Sequence, residues 1–199
     1  MNCEVIALSN LAVSHNSSAD AYELSVELAN EGYRTLVVDC TKHGKVTKQL
    51  LARYSNPSLD QTVAVATDIF YVLKAGKPSR PINIFAHTQY GRSSGIIEAG
   101  SLDLIPSTSH LADLEDYLSQ QVSQGELPLM KHIDRIRPNY NFILIDFSPC
   151  DGAIVANLLP CSDCQIMILR QQSVFFTKTS SIAIKKVLAS LSRQEERLF

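Results

Sequence analysis

The stretch Ser9–Asp20, SNLAVSHNSSAD, stands where a chain of this pattern would bind an anion. An apolar run, Val5-Ile6-Ala7-Leu8, precedes it, and a helical pattern from Ala21 to Glu31 follows, then Gly32 and a second apolar run, Thr35 to Asp39. In a βαβ unit the first strand-to-helix turn offers backbone N–H groups at a helix N-terminus to negative charge. A phosphate loop of the G-x-x-x-x-G-K-[ST] kind adds glycines, so that the backbone can close on the anion, and a lysine to neutralise it. Here the glycine and lysine positions read Val13, Ser14, Asn16 and Ser17. His15, with Ser14 or Ser17 and the aspartates Asp39 and Asp146, makes a Ser-His-Asp arrangement conceivable, since all lie at the carboxyl ends of predicted strands, where open α/β sheets place their sites. A triad needs geometry that spacing does not supply, so a plain polar loop is the preferred reading.

Two further clusters bear on chemistry. Cys161-Ser-Asp-Cys164 has CxxC spacing, but no second pair or histidine cluster completes a zinc site. It precedes a strand pattern rather than opening a helix, where a dipole would lower a thiol pKa. The five cysteines are therefore read as free thiols. Lys178, Lys185, Lys186, Arg193 and Arg197 lie on the last helical pattern, with Arg170 before it, and the three lysines fall roughly on one face. Such a face could contact nucleic-acid phosphates, although Glu195 and Glu196 offset it and a solvated helix face is the slightly preferred reading. Lys42, His43, Lys45 and Lys48 form a second basic group, read as a solvated loop and helix start.

The elements that must position these residues alternate between strand and helix patterns, which predicts one α/β domain over residues 1–199 with a mostly parallel sheet covered by helices on both faces. Predicted strands are Glu4–Ser9, Thr35–Asp39, Leu102–Ile105, Phe142–Asp146 and Gln165–Leu169, with a short addition at Asn83–Ala86. Predicted helices are Ala19–Glu31 (capped by Ser18 or Asp20), part of Gln61–Ala75, Thr108–Gln124 with Ser109 near its start, Pro128–Arg137, Asp151–Leu159 and Thr177–Arg197. Lys77–Gly100, rich in glycine and proline, is expected to be an irregular excursion. Val174-Phe175-Phe176 is expected to pack in the core, or to mark a partner surface if exposed. The chain has 199 residues, 45% apolar and 19% charged, with a net charge of −2, which suits a folded domain and excludes a globally basic nucleic-acid binder. No apolar run is long enough for a membrane span and no signal-peptide pattern opens the chain, so a cytoplasmic location is expected.

Four blocks, in order, resemble the ParA/MinD group of deviant Walker-A ATPases, which partition plasmids and chromosomes or position cell machinery. They are VIALSN, ANEGYRTLVVDCTKHG, SLDLIPSTSHLADLE and YNFILIDFSPCDGAIVANLLPCSDCQIMIL. The segment FFTKTSSIAIKKVLASL continues into that group's next helix. The resemblance covers most of the chain and implies a P-loop NTPase-like fold. It places the family loop KGGVGKTT on Ala12-Val13-Ser14-His15-Asn16-Ser17-Ser18-Ala19. The signature lysine, which in the family reaches the other subunit's nucleotide, falls on Ala12, and the P-loop lysine on Ser17. Ser18 matches the magnesium-binding threonine and keeps its hydroxyl. Asp39 matches the first aspartate of a DxD-like switch, associated with activating the attacking water, while Thr41 stands at the second. Asp146 matches an acidic block that assists magnesium through its waters.

These departures give a specific expectation. A triphosphate carries charge that lysine, magnesium and backbone donors must neutralise, and both lysines and every loop glycine are absent. Asn10, Ala12, Ser14, Asn16, Ser17, Ser18, Asp39 and Asp146 are therefore read as a vestigial nucleotide site. The chain is expected to be a non-catalytic pseudo-ATPase without a cofactor or metal, with room for weak nucleotide binding through Ser14, Asn16, Ser17 and Ser18. The family's further C-terminal strand and helices have no counterpart before Phe199, which is read as C-terminal shortening. The expected role is plasmid or chromosome partition, or intracellular positioning, through non-specific DNA, self-association as a homodimer, or a ParA/MinD-type partner. Lys178, Lys185, Lys186 and Arg193 are the candidate DNA contacts. The alternative role is a MinD-like interaction module in an envelope, secretion, cellulose-export or conjugation assembly.

Overall fold

The computed structural model describes residues 3–10, 17–54, 68–76, 81–91, 95–147, 152–169 and 172–177. In chain order the described elements are β1 (Glu4–Asn10), α1 (Ser17–Asn30), β2 (Arg34–Cys40), α2 (Lys45–Tyr54), α3 (Ile69–Ala75), β3 (Ile82–Gly91), β4 (Gly95–Ile105), α4 (Leu111–Ser123), α5 (Pro128–Ile136), β5 (Phe142–Phe147), α6 (Gly152–Cys161), β6 (Cys164–Leu169) and β7 (Gln172–Thr177). The strands form a seven-stranded sheet in the order β3-β4-β2-β5-β1-β6-β7. The five central strands run parallel, and β3 and β7 close the edges antiparallel.

The central strands are buried on both faces, so they read as continuous apolar runs rather than alternating ones. All six residues of β5 are buried, as are the last six of β2. Their side chains divide between two cores. On one face Val37, Leu144, Ile6 and Leu8 pack with Leu24 and Leu28 of α1 and with Val46 and Leu50 of α2. On the other, Val38, Ile145 and Ala7 pack with Leu114 and Leu118 of α4, Ile133 of α5 and Leu158 of α6. Because side chains alternate along a strand, Asp39 and Asp146 continue the first face at the carboxyl ends of their strands. Gly100 sets how closely β4 approaches α1: a Cβ there would lie 2.1 Å from the Ala29 carbonyl oxygen.

The fold class matches the sequence expectation, and several local readings change. Lys77–Gly100 is not irregular: most of it builds the β3–β4 hairpin, whose strands are longer than Asn83–Ala86 and Leu102–Ile105. Its β-bulge-like register shifts and its glycines break the alternation that would reveal a strand. The basic residues Lys45 and Lys48 belong to a full helix, α2. α1 opens at Ser17, so Ser18 and Asp20 lie in its first turn rather than capping it. α4 starts at Leu111, with His110 rather than Ser109 at the N-cap position and no side-chain cap bond there. Thr177 and the two phenylalanines belong to β7; the helix predicted beyond Thr177 lies outside the described residues.

Candidate functional site

Asp39 and Asp146 are register partners on β2 and β5. Both are fully buried. Neighbouring strands of a sheet lie about 4.8 Å apart, so the two carboxylates project side by side from the sheet's carboxyl edge. Leu8 of β1 is the partner of Asp146 on its other side, and β1 leads into the loop at 11–16. Ser18, in the first turn of α1, is buried near the start of the helix that follows that loop.

Asp39 is held from two directions. Its Oδ1 accepts from the Thr41 amide at 3.0 Å and the Thr41 hydroxyl at 2.6 Å. Its Oδ2 accepts from the Thr47 amide at 3.0 Å and the Thr47 hydroxyl at 2.7 Å. The sequence explains this clamp. Gly44, at φ +54°, opens α2 and supplies no capping side chain, while its carbonyl accepts from Lys48. The third amide of the helix, Thr47, therefore takes its acceptor from the end of β2, as an N-cap residue would ordinarily provide it. A carboxylate at a helix N-terminus also faces the positive end of the helix dipole.

Ser107 joins the clamp from the segment after β4. Its amide donates to the Thr47 hydroxyl oxygen at 3.0 Å, and its own hydroxyl donates to the Thr41 carbonyl at 2.6 Å. The next residue turns the other way: the Thr108 hydroxyl donates to Oδ2 of Asp68. Asp68 caps α3, accepting from the Tyr71 amide at 2.8 Å through Oδ1. His110 Nδ1 lies 3.2 Å from Asp68 Oδ2, and its ring stacks near Phe70 and meets Tyr71 edge-on. A small cavity lined by Asp39, Asp68, Phe70, Ser107 and His110 separates the two clusters.

The arrangement fits a magnesium-bound nucleotide in two respects. The opening of α1 beside Ser18 suits an anion, and Asp146 is a buried carboxylate of the kind that faces a water-clad cation, whereas Asp39 already has both oxygens taken by Thr41 and Thr47. Ser18 and Asp146 would hold that group, with Asp39 beside Asp146 in register. Its chemistry, when bound, is phosphoryl transfer. Of the other predicted site residues, Asn10 ends β1 opposite Ile168 and Ser17 opens α1. Ala12, Ser14, His15 and Asn16, and also Lys178, Lys185, Lys186 and Arg193, lie outside the described residues. Thr47 and Ser107 are site residues that the sequence does not single out, and Thr41, placed at the switch only as a departure from its second aspartate, turns out to hold Asp39. The sequence carried one signal, hydroxyl residues at both ends of the Asp39 turn; the contact between residues 47 and 107 depends on β2 and β4 being neighbours.

The CxxC motif is structural here. Cys161 and Cys164 are free, and burial pushes their thiols up to about 12 and about 11. Cys161 Sγ donates to the Leu158 carbonyl at 3.3 Å. A thiol kept protonated is a poor nucleophile and metal ligand. Among the described residues no group of three histidines, cysteines or acids could hold a metal, and no helix is long and apolar enough to cross a membrane.

Comparison with known proteins gives the family. The family described as AAA domain matches residues 3–194. The chain is 26% identical over 164 residues to the sporulation initiation inhibitor protein Soj of Bacillus subtilis, covering 80% of this chain and 55% of Soj. It thus spans about half the length of the curated relatives it matches. A plasmid partition protein of Borrelia burgdorferi, solved with AMPPNP, shares the fold at a TM-score of 0.65 with 18% identity, covering 100% of this chain and 72% of that one. Cobyrinic acid a,c-diamide synthase of Mycobacterium smegmatis, solved with ADP and magnesium, shares it at 0.64 with 17% identity, covering 98% and 68%. The chain belongs to the AAA domain family, in its ParA/MinD group.

This corrects one expectation. The chain was expected to be a non-enzyme, on the loss of both loop lysines and all loop glycines. The family match runs through that loop and both aspartates, and the fold is shared with an enzyme that holds ADP and magnesium. The fold is an ATPase fold. The physical reason is that loop composition reports one means of neutralising phosphate, whereas the buried acid pair and the helix opening belong to the whole sheet edge.

Proposed function

We propose that this ParA/MinD-type chain works in plasmid or chromosome partition, or in intracellular positioning, through nucleotide-dependent contacts with DNA, with a second copy or with a ParA/MinD-type partner. The observation that carries this reading is the register pairing of Asp39 with Asp146 at the carboxyl edge, beside the Ser18 end of α1. The same scaffold carries partition proteins of the group. Nucleotide is held weakly in this reading, because Ala12 and Ser17 bring no charge to the phosphates. Ser14, Asn16, Ser17 and Ser18 supply neutral hydrogen-bond donors instead.

DNA contact falls to Lys178, Lys185, Lys186 and Arg193. Such contacts are made to phosphates, without base reading, and weaken steeply as salt displaces the protein. The deciding experiment is calorimetric titration with ATP and magnesium, paired with DNA binding at low and high salt. Binding of nucleotide at up to millimolar concentration, and DNA binding that falls with salt and is lost in a Lys185→Glu, Lys186→Glu double variant, supports the reading. Absence of both nucleotide and DNA binding at low salt sinks it.

A further inference from the structure

The buried Thr47 hydroxyl bridges two separate parts of the chain. It donates to Asp39 Oδ2 at 2.7 Å and accepts from the Ser107 amide at 3.0 Å. It therefore joins the carboxylate at the end of β2 to a backbone amide sixty residues away. Ser107 closes the loop on the other side through its hydroxyl, 2.6 Å from the carbonyl of Thr41, the residue whose own hydroxyl holds Asp39 Oδ1. The ring Asp39–Thr47–Ser107–Thr41 is closed by hydrogen bonds, and each hydroxyl in it has a defined donor direction. Oδ2 is an acceptor, so the Thr47 proton must point at it, which leaves a Thr47 lone pair for Ser107.

The segment beyond Ser107 leads to an exposed surface. Thr108 bonds Asp68, Asp68 caps α3, and α3 presents Tyr71, 42% exposed, beside Phe70 and His110. Ser107 and Thr108 are adjacent, so a shift of that segment reaches the partners of both carboxylates. We propose that Thr47 is a positioning residue that fixes the Asp39 carboxylate and couples its orientation to the Ser107–His110 segment and the aromatic face of α3. The inference rests on the proposed nucleotide role of the Asp39 edge and names a regulation of that same site. Changes at that edge are then felt at α3, and contacts made on α3 are felt at Asp39, by the reciprocity of coupled equilibria. A shared hydrogen-bond network is the physical link.

The test uses the full chain and the variants Thr47→Val, which keeps shape and removes the hydroxyl, and Thr47→Ser, which restores it. Hydrogen exchange in the absence of nucleotide is the first readout. Thr47→Val should speed exchange of the Ser107 amide about tenfold and extend the effect to residues 108–110 and 69–73, with Thr47→Ser close to the parent. The second readout is magnesium–ATP turnover: Thr47→Val should lower kcat about tenfold with KM changed less than twofold, again rescued by serine. Ser107→Ala, which removes only the hydroxyl bond to Thr41, serves as a milder variant should Thr47→Val fold poorly, and should give the same pattern at smaller size. Exchange confined to the Ser107 amide, or an equal effect in Thr47→Ser, overturns the coupling. A parent protein that neither binds nor turns over nucleotide defeats the proposed function instead, while the exchange arm still decides the coupling.

Discussion

Asp39 and Asp68 are built alike and placed differently. Each accepts from the third amide of a helix, Thr47 in α2 and Tyr71 in α3, and from threonine hydroxyls, those of Thr41 and Thr47 at Asp39 and that of Thr108 at Asp68. The segment Ser107-Thr108 supplies a contact to both clusters. Asp39 accepts from amides and hydroxyls and lies at the carboxyl edge of the sheet, next to Asp146. Asp68 has a titratable neighbour, His110, and aromatic rings that reach solvent. The same capping device thus serves an interior edge in one place and an aromatic surface in the other. What separates them is surroundings, not chemistry.

The first way to break the comparison is to remove each carboxylate. Asp39→Ala should cost about 3 kcal/mol in chemical denaturation, because it leaves buried amide and hydroxyl donors of Thr41 and Thr47 without their acceptor. Asp39→Asn, which keeps an acceptor, should cost less; equal costs would mean that shape, not acceptance, matters there.

A second test asks whether acid sensitivity belongs to the Asp68 cluster or to the interior. Burial, with Arg135 adding, lowers the pKa of His132 in α5 from 6.5 to about 4. The folded state therefore keeps His132 neutral while the unfolded chain takes up a proton between those values. Stability from this residue is fully present above pH 6.5 and falls as pH drops towards 4, by about 3 kcal/mol in all. His132→Gln should flatten this limb of the pH–stability curve, and His110→Gln should leave most of it. The reverse result would assign the acid limb to the surface cluster.

Asp68→Ala should cost about 1–2 kcal/mol, the worth of an N-cap with one further hydroxyl bond, and clearly less than Asp39→Ala. Thermal unfolding of the two variants side by side checks this order. The smallest effect expected is from Gly44→Ala, about 1 kcal/mol, since φ is +54° and an added Cβ would meet Ser107 at 3.4 Å. If that substitution costs nothing, the turn that brings Thr47 to Asp39 is less constrained than its geometry implies.

Much of this was readable from residues alone. Buried parallel strands announce themselves as apolar runs, so β1, β2, β5 and β6 and the two edge aspartates were legible. The β3–β4 hairpin was not, because glycines at 91, 95 and 100 interrupt the pattern and its pairing lies at the sheet's margin. In the sequence α2 shows only a helix start, since few of its apolar residues, Val46 and Leu50 among them, face the core. The clamp on Asp39 was invisible for a different reason: Thr47 and Ser107 acquire their meaning only when β4 settles beside β2. Loop composition, by contrast, was overread. It described a loss of positive charge and was extended to the loss of an activity.

Glu115, on α4, accepts from the amides of Ala153 and Ile154 at 2.6 and 3.0 Å, at the opening of α6. With Asp39 at α2 and Asp68 at α3, three helix ends are met by the protein's own carboxylates. The molecule therefore sorts its positive poles in advance. A stray phosphate or sulfate finds those three poles already answered from within, so the architecture guards against off-site anion capture by the same acids that hold its helices in place.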